Sequence, residues 1–419
     1  MSTGSFGSDG VIQPGNSRDT ARGACGRDRT VGQAHASPLE RRDRAWRPDS
    51  LLRVKIVDVE LIQLAKVHAR PHRNAKQSRS RRVVSLVRIT TDEGVDGLGE
   101  AWCNPALAEG VVLGKLRPLV LGQDPFNVEG IWHRAFDGSA MYDPKGAVVA
   151  GISGIDIACW DIMGKATGQP VCKLLGGLNR TEIPAYASDL HWEEDPTVMA
   201  RAAASFVERG FRTVKTHVGV DPLDDARRVR AIRDAIGPEI GLMVDVNTGF
   251  DRPTAIRFGR QIAEYEITWY EEPLSPMDVH GLVDVRAATG LTIATGENEY
   301  TRWGFRQLFE NGGIDYAMPD VARTGGLTEM KKICAVAEAY GVVVSPHNYS
   351  SGVCSAATLH FMAAVPSTGP LEWDTIDSSV VSELFVEPPT VKNGAVSVPQ
   401  LPGLGVHLPD EVRSRYSAN

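Results

Sequence analysis

The chain has 419 residues, 42% of them apolar and 23% charged, with a formal net charge of −7. That length allows a large core and exceeds the usual single domain, while the acidic balance argues against general nucleic-acid binding. No apolar run approaches the roughly 20 residues of a membrane helix, and the six cysteines stand without CxxC pairs, so neither zinc nor a disulfide framework is implied and a cytoplasmic location is expected.

Residues 1–50 mix Gly, Ser, Asp and Arg without apolar periodicity, the composition of a disordered extension. From Arg53, RVKIVDVELIQL alternates as a strand. RVVSLVRITTDEGVDGLGEA reads as a strand pair turning at Asp92 to Gly94. Helical patterns then run to about Lys173, which gives an α+β domain over 51–175. Between Glu60 and Asp92 there is no acidic residue, whereas Lys66, His68, Arg70, His72, Arg73, Lys76, Arg79, Arg81 and Arg82 crowd the span between the first two strands. This is either a basic loop facing an anionic substrate or a solvated one.

Over 176–379 strand and helix signals alternate. IPAYAS, TVKTHV, GLMVDVN, TWYEE, LTIATGE, YAMPD, VVVSPHN and LEW mark eight strand ends. Asp245, Glu271 and Glu297 each close one of these runs, spaced 26 residues apart. That interval suits one strand, one helix and two loops, so a barrel would deliver all three carboxylates to one rim. Hard oxygen ligands gathered there would collect Mg²⁺. Asp320 and His347 follow two further strands, and an Asp beside a His sets up a general base. Lys215 and His217, two apart in TVKTH, face the same way into the barrel mouth. Asp189 and His191, after the first barrel strand, are further specificity candidates, as is the loop from Asn104 to Gly110.

The motifs KTH at 215–217, DVN at 245–247, EEP at 271–273, GEN at 296–298, PDVARTGGLTE at 319–329 and SPHN at 345–348 resemble those of the enolase superfamily, within it the mandelate racemase subgroup. The resemblance runs from about Arg53 to the C-terminus. It implies a modified TIM barrel, (β/α)7β, with an N-terminal α+β capping domain completed by residues 380–419. It also implies Mg²⁺ on Asp245, Glu271 and Glu297, with substrate contacts at Asn247 and on a mobile loop carrying His72 and Arg73. Glu372, in LEW, matches a carboxylic acid that hydrogen-bonds an enolate, a role that requires a raised pKa. Where the family has KxK, this chain has Lys215 and His217, so either histidine could be the α-base. The implied chemistry is proton abstraction α to a carboxylate followed by β-elimination, most often dehydration of a sugar acid. Ring opening of an anhydro-sugar acid or aldarolactone, racemisation or muconate-type lactonisation, or a non-catalytic binding barrel are the alternatives. The family often forms dimers or octamers.

Overall fold

The computed structural model describes residues 54–375 and 379–418, so the expectation for 1–50 lies outside the described residues. Three antiparallel strands come first: β1 (Ile56–Arg73), β2 (Ser78–Thr91) and β3 (Asp96–Glu100). The turn between β2 and β3 falls where the sequence placed it, with Gly94 at φ +76°. Ile56, Val59, Val87 and Ile89 from this sheet pack on Ile152, Ile155 and Ile162 of the helix Ala147–Thr167. Contact is closest at β3. A Cβ on Gly97 would lie 2.2 Å from the Ala158 carbonyl oxygen, and one on Gly99 would lie 1.9 Å from that of Gly154. The two glycines of VDGLGEA, two apart and so on one face, let the helix backbone lie against the strand.

That helix corrects one expectation. It spans 21 residues and is long and apolar enough, by length and composition, to cross a membrane. Its apolar window is 89% buried within the protein, as befits a helix that is apolar all round. Asp156 and Asp161 interrupt the run in the sequence, yet both are buried. Asp161 accepts from the backbone N–H groups of Leu98 at 2.9 Å and Leu404 at 2.8 Å.

Eight parallel strands follow: β4 (Glu182–Leu190), β5 (Thr213–His217), β6 (Gly241–Asp245), β7 (Ile267–Glu271), β8 (Ile293–Thr295), β9 (Tyr316–Ala317), β10 (Val343–Val344) and β11 (Leu371–Trp373). The ladders run from β10 back to β4, and β11 pairs with the other edge of β4. Between β10 and β11 the Gly369 N–H donates to the Val344 carbonyl at 2.8 Å. A helix fills each of the seven intervals, which makes the architecture a (β/α)7β barrel under an antiparallel cap.

Local chemistry explains where the helices begin. Asp195, Asp221 and Asp251 cap the helices Pro196–Glu208, Pro222–Ile236 and Arg252–Ile262, each with proline at one of the first two positions. The carboxylate accepts an unpaired first-turn N–H, and proline lacks the donor that would go unused. Inside the barrel Tyr186, Met243, Trp269, Ala294 and Met318 form a core of their own. After β11 the chain adds β12 (Val391–Lys392) and β13 (Ala395–Ser397), the latter antiparallel to β4. The helix Asp410–Tyr416 then reaches the cap, where Arg413 pairs with Glu60 at 2.6 Å and Ser417 bridges Leu64 on β1.

Candidate active site

The register of the parallel ladders puts His217 beside Asp245 and Asp245 beside Glu271. Lys215, one pleat below His217, extends its ammonium among the carboxylates. Its Nζ lies 2.9 Å from Glu271, 2.8 Å from Glu372 and 3.5 Å from Asp245, with the side chain 1% exposed. Burial alone would lower this lysine's pKa, but Glu271, Glu372 and Asp245 outweigh it and hold the ammonium well above its usual range. Trp269 Nε1 donates to the other oxygen of Glu271 at 2.9 Å. Asn247 adopts a left-handed φ of +46°, which asparagine tolerates, so its backbone N–H returns to Asp245 at 2.7 Å.

Among the described residues no three His, Cys, Asp or Glu side chains converge as a ready chelate. The carboxylates instead engage cationic groups: Asp245 and Glu271 meet Lys215, and Glu297 lies 3.2 Å from His347 Nε2. The donor set nevertheless suits Mg²⁺. Three hard oxygen donors leave neighbouring strand ends, and burial followed by the Asp245 charge pushes the Glu271 carboxyl up to about 8. Crowded like charges in a buried site are what a divalent cation relieves. Glu272, the second acid of EEP, was not singled out from the sequence. It is buried at φ +41°, and both its oxygens meet Asn298 Nδ2 at 2.9 Å. Burial, then Glu297 and Asp245, raise its pKa well above the carboxylate range.

His347 Nδ1 and Asp320 Oδ2 are 2.6 Å apart, the Asp–His pair expected from the spacing. The Asp leaves Nε2 as the working nitrogen. Burial opposes its protonation, but Glu297, Glu372 and Asp320 prevail and raise the His347 pKa to about 10. Glu372 stands between the two cationic groups, with Oε1 toward Lys215 and Oε2 3.8 Å from His347 Nε2. It also accepts from the Ser188 hydroxyl and from the Asn348 backbone at 2.9 Å. Burial would raise its pKa, yet Lys215 and His347 outweigh burial and hold it well below the usual range. The raised pKa that the enolate-donor role needs is therefore not met here, because two cations stabilise the carboxylate.

Both ring nitrogens of His217 face acceptors. Nδ1 lies 2.9 Å from Asn247 Oδ1 and 3.3 Å from Asp245, and Nε2 lies 3.2 Å from the Ser188 carbonyl. Burial opposes the charged ring, but Asp245 and Asn247 raise its pKa. The arrangement favours a donor over a base.

These groups open into a cavity of about 570 Å³. His72, Arg73, His191 and Asn247 line it, as does Asn104 from the second cap loop. Asp189 does not. It is buried behind the wall, accepting from Thr375 and, at 3.1 Å, from the Tyr349 hydroxyl. Its buried site needed acceptors for these donors, so its part is to hold Tyr349. Tyr349, missed in the sequence reading, also reaches His191 Nε2 at 3.1 Å and His72 Nδ1 at 3.2 Å. The rings of His68, His72, His191 and His217 form a continuous stack, with centroid separations of 3.8, 4.1 and 5.1 Å. Trp102, at the end of β3, was also missed; its indole covers His347.

Residues 56–176 match the mandelate racemase / muconate lactonizing enzyme N-terminal domain, and 198–412 match the enolase C-terminal domain-like family. The chain belongs to the mandelate racemase / muconate lactonizing enzyme family of the enolase superfamily. Within that family it is 34% identical over 349 residues to D-galactarolactone cycloisomerase of Agrobacterium fabrum, covering 81% of this chain and 92% of the relative. It is 32% identical over 340 residues to arabinonate dehydratase of Saccharolobus solfataricus, covering 80% and 90% respectively. A crystal structure of a racemase from Streptomyces coelicolor A3(2) with bound magnesium superposes with a TM-score of 0.80 at 30% identity, covering 87% of this chain and all of that one. That neighbour carries the metal expected from the carboxylate spacing.

Proposed function

We propose that the protein is a Mg²⁺-dependent sugar-acid dehydratase. The observation that carries this reading is the placement of Lys215 and the His347–Asp320 pair on either side of Glu372, against the three rim carboxylates. Mg²⁺ held by Asp245, Glu271 and Glu297 would supply fixed positive charge to the substrate carboxylate, which makes the adjacent C–H acidic enough to lose its proton. Lys215 adds an ammonium to the same end of the substrate.

Glu297, once it holds Mg²⁺, no longer supplies the charge that does most to keep His347 protonated, and His347 Nε2, oriented by Asp320, then takes the α-proton. The electron pair left on the α-carbon forms the enolate, then expels the β-hydroxyl as its C–O bond breaks. A proton donated to that hydroxyl makes the leaving group water. His217, with acceptors on both ring nitrogens, is suited to donate it. The enol product tautomerises to a 2-keto-3-deoxy acid. The dehydratase relative supports this outcome, and Glu372 stabilises the cationic groups around the enolate as a carboxylate.

A second reading is supported by the cycloisomerase relative: the same enolate expels a ring oxygen and opens a lactone or anhydro-sugar acid. One experiment separates the two. The protein with Mg²⁺ is offered a library of sugar acids and lactones, and products are assayed for 2-keto-3-deoxy acids while α-proton exchange is followed in D₂O. Dehydration of open-chain acids supports the first reading, and turnover confined to cyclic substrates supports the second. If no acid or lactone exchanges its α-proton, both fail.

A further inference from the structure

Asp189 receives three donors. The Thr375 backbone N–H and hydroxyl meet one of its oxygens, the hydroxyl at 2.7 Å, and the Tyr349 hydroxyl meets the other at 3.1 Å. Tyr349 is held by Arg82, whose guanidinium lies 4.2 Å from the ring centroid and pairs with Asp374 at 2.5 Å. A phenol has one proton, and the buried carboxylate takes it. Toward His191 Nε2 at 3.1 Å and His72 Nδ1 at 3.2 Å the Tyr349 oxygen therefore accepts. His191 thus carries a proton on Nε2. Burial, then His217, His72 and Arg82, hold its pKa well below the usual 6.5, so the ring is neutral and has that one proton. Nδ1 is left as a bare lone pair. It bonds no group among the described residues and is not sealed off, and the residue lines the cavity.

Such an acceptor answers a need of this wall. Arg73, Arg79, Arg81, Arg82 and Arg323 line the cavity and only donate. Three side-chain amide oxygens are already engaged. Asn74 accepts the Lys76 and Gln77 N–H groups at 3.0 and 2.9 Å, Gln77 accepts Arg79 Nε at 2.5 Å, and Asn104 accepts the Ala106 N–H at 3.1 Å. A sugar hydroxyl has a proton to place as well as lone pairs to fill. His191 lies on His217 with centroids 5.1 Å apart and planes 12° from parallel. His217 is the end of the stack that meets Asp245, and His72 and His68 continue it the other way. A substrate with its carboxylate at the metal and its β-hydroxyl at His217 presents its next hydroxyl to His191.

We propose that His191 is a specificity-determining residue whose Nδ1 accepts a hydrogen bond from the hydroxyl on C4, the carbon next to the one that loses water. This rests on the sugar-acid reading above. It selects acids with a free C4 hydroxyl over 1,4-lactones, whose C4 oxygen has no proton to give.

The test uses the full chain with Mg²⁺ at about pH 8, so that the Asp189 carboxyl, pushed up to about 7 by burial and then Asp374, is ionised. The probes are the open-chain sugar acid turned over fastest in the library above and its 4-deoxy and 4-deoxy-4-fluoro analogues. Fluorine keeps the inductive pull of oxygen but brings no proton. Both analogues should lose about tenfold or more in kcat/KM, as an acceptor left unpaired implies. His191→Phe keeps a ring on His217; it should cost about tenfold on the parent acid and less than about twofold on either analogue. Equal losses of His191→Phe on parent and analogues overturn the inference, as does a parent no faster than its analogues or a preference for 1,4-lactones. Nitrogen-15 NMR of the unaltered protein gives a check independent of turnover. His191 should be protonated on Nε2 and bare on Nδ1, and a proton on Nδ1 overturns the inference while leaving the sugar-acid reading intact. Absence of α-proton exchange with every sugar acid fails that reading itself, and the inference with it.

Discussion

The indole of Trp102 lies flat on the imidazole of His347, with centroids 4.8 Å apart and planes 3° from parallel. The Arg323 guanidinium also lies over the indole, 4.2 Å from its centroid, and the Trp102 backbone N–H donates to the Ala322 carbonyl at 2.9 Å. A residue of the cap therefore fixes the plane of the ring that Asp320 orients from the barrel. Replacing it should disturb proton transfer without touching any carboxylate. Trp102→Leu is expected to lower kcat about two- to tenfold, the worth of one ring stack. Unchanged kcat and an unchanged pH profile would reduce Trp102 to a wall of the cavity.

For the metal, Asp245→Asn, Glu271→Gln and Glu297→Gln should each weaken Mg²⁺ binding and cut turnover by at least about a thousandfold. Calorimetric titration with Mg²⁺ and circular dichroism check affinity and fold separately. A variant that keeps wild-type affinity and activity removes that carboxylate from the metal site.

The two histidines can be separated by exchange. His347→Asn should abolish both product formation and deuterium uptake at the α-carbon. His217→Asn should block β-elimination yet retain α-proton exchange in D₂O. If His347→Asn still exchanges while His217→Asn does not, their roles are reversed.

Acid stability should report on His360. This buried side chain accepts the Cys172 N–H at Nδ1 and faces the Leu404 carbonyl with Nε2, both at 3.2 Å. Burial pulls its pKa down to about 4 from an ordinary 6.5. The unfolded chain thus binds the proton more readily, and stability is lost as pH falls from about 6.5 towards 4. The loss is about 3 kcal/mol by linkage. Urea unfolding of His360→Gln at pH 7 and pH 4.5 should show a shallower decline than the unaltered chain, and an identical decline would refute the assignment.

Packing at β3 predicts a defect remote from the cavity. Gly99→Ala forces a methyl against the Gly154 carbonyl and should cost about 1–3 kcal/mol, as overpacking does. Thermal melting would show the decrease, whereas an unchanged midpoint would mean that the strand and helix separate easily.

The barrel and its rim were legible because one strand, one helix and two loops repeat at a nearly constant interval, which puts Asp245, Glu271 and Glu297 in phase along the chain. Asp320 and His347 follow the same logic. Tyr349, Trp102 and the Arg82–Asp374 pair were not legible. Arg82 and Asp374 lie 292 positions apart, so only the tertiary fold brings them together. Asp189, near the end of β4, meets Tyr349 and Thr375 behind the cavity wall, and sequence position does not reveal which buried donors await an acceptor. The charge state of Glu372 was similarly hidden, because it depends on two cations arriving from β5 and from the end of β10.

Glu100, the last residue of β3, is fully buried where cap meets barrel. It accepts from the Ser350 and Ser351 hydroxyls and, at 3.2 Å, from the Cys354 backbone N–H. These donors surround the start of the helix Gly352–Ala364, a few residues beyond His347. Cap and barrel are consequently not interchangeable parts. A chimaera that joins this barrel to a relative's cap must import an acceptor at position 100, or three donors are stranded in a dry joint beside the working histidine. Recombination within the family is thereby restricted to exchanges that carry residues 100 and 350–354 together.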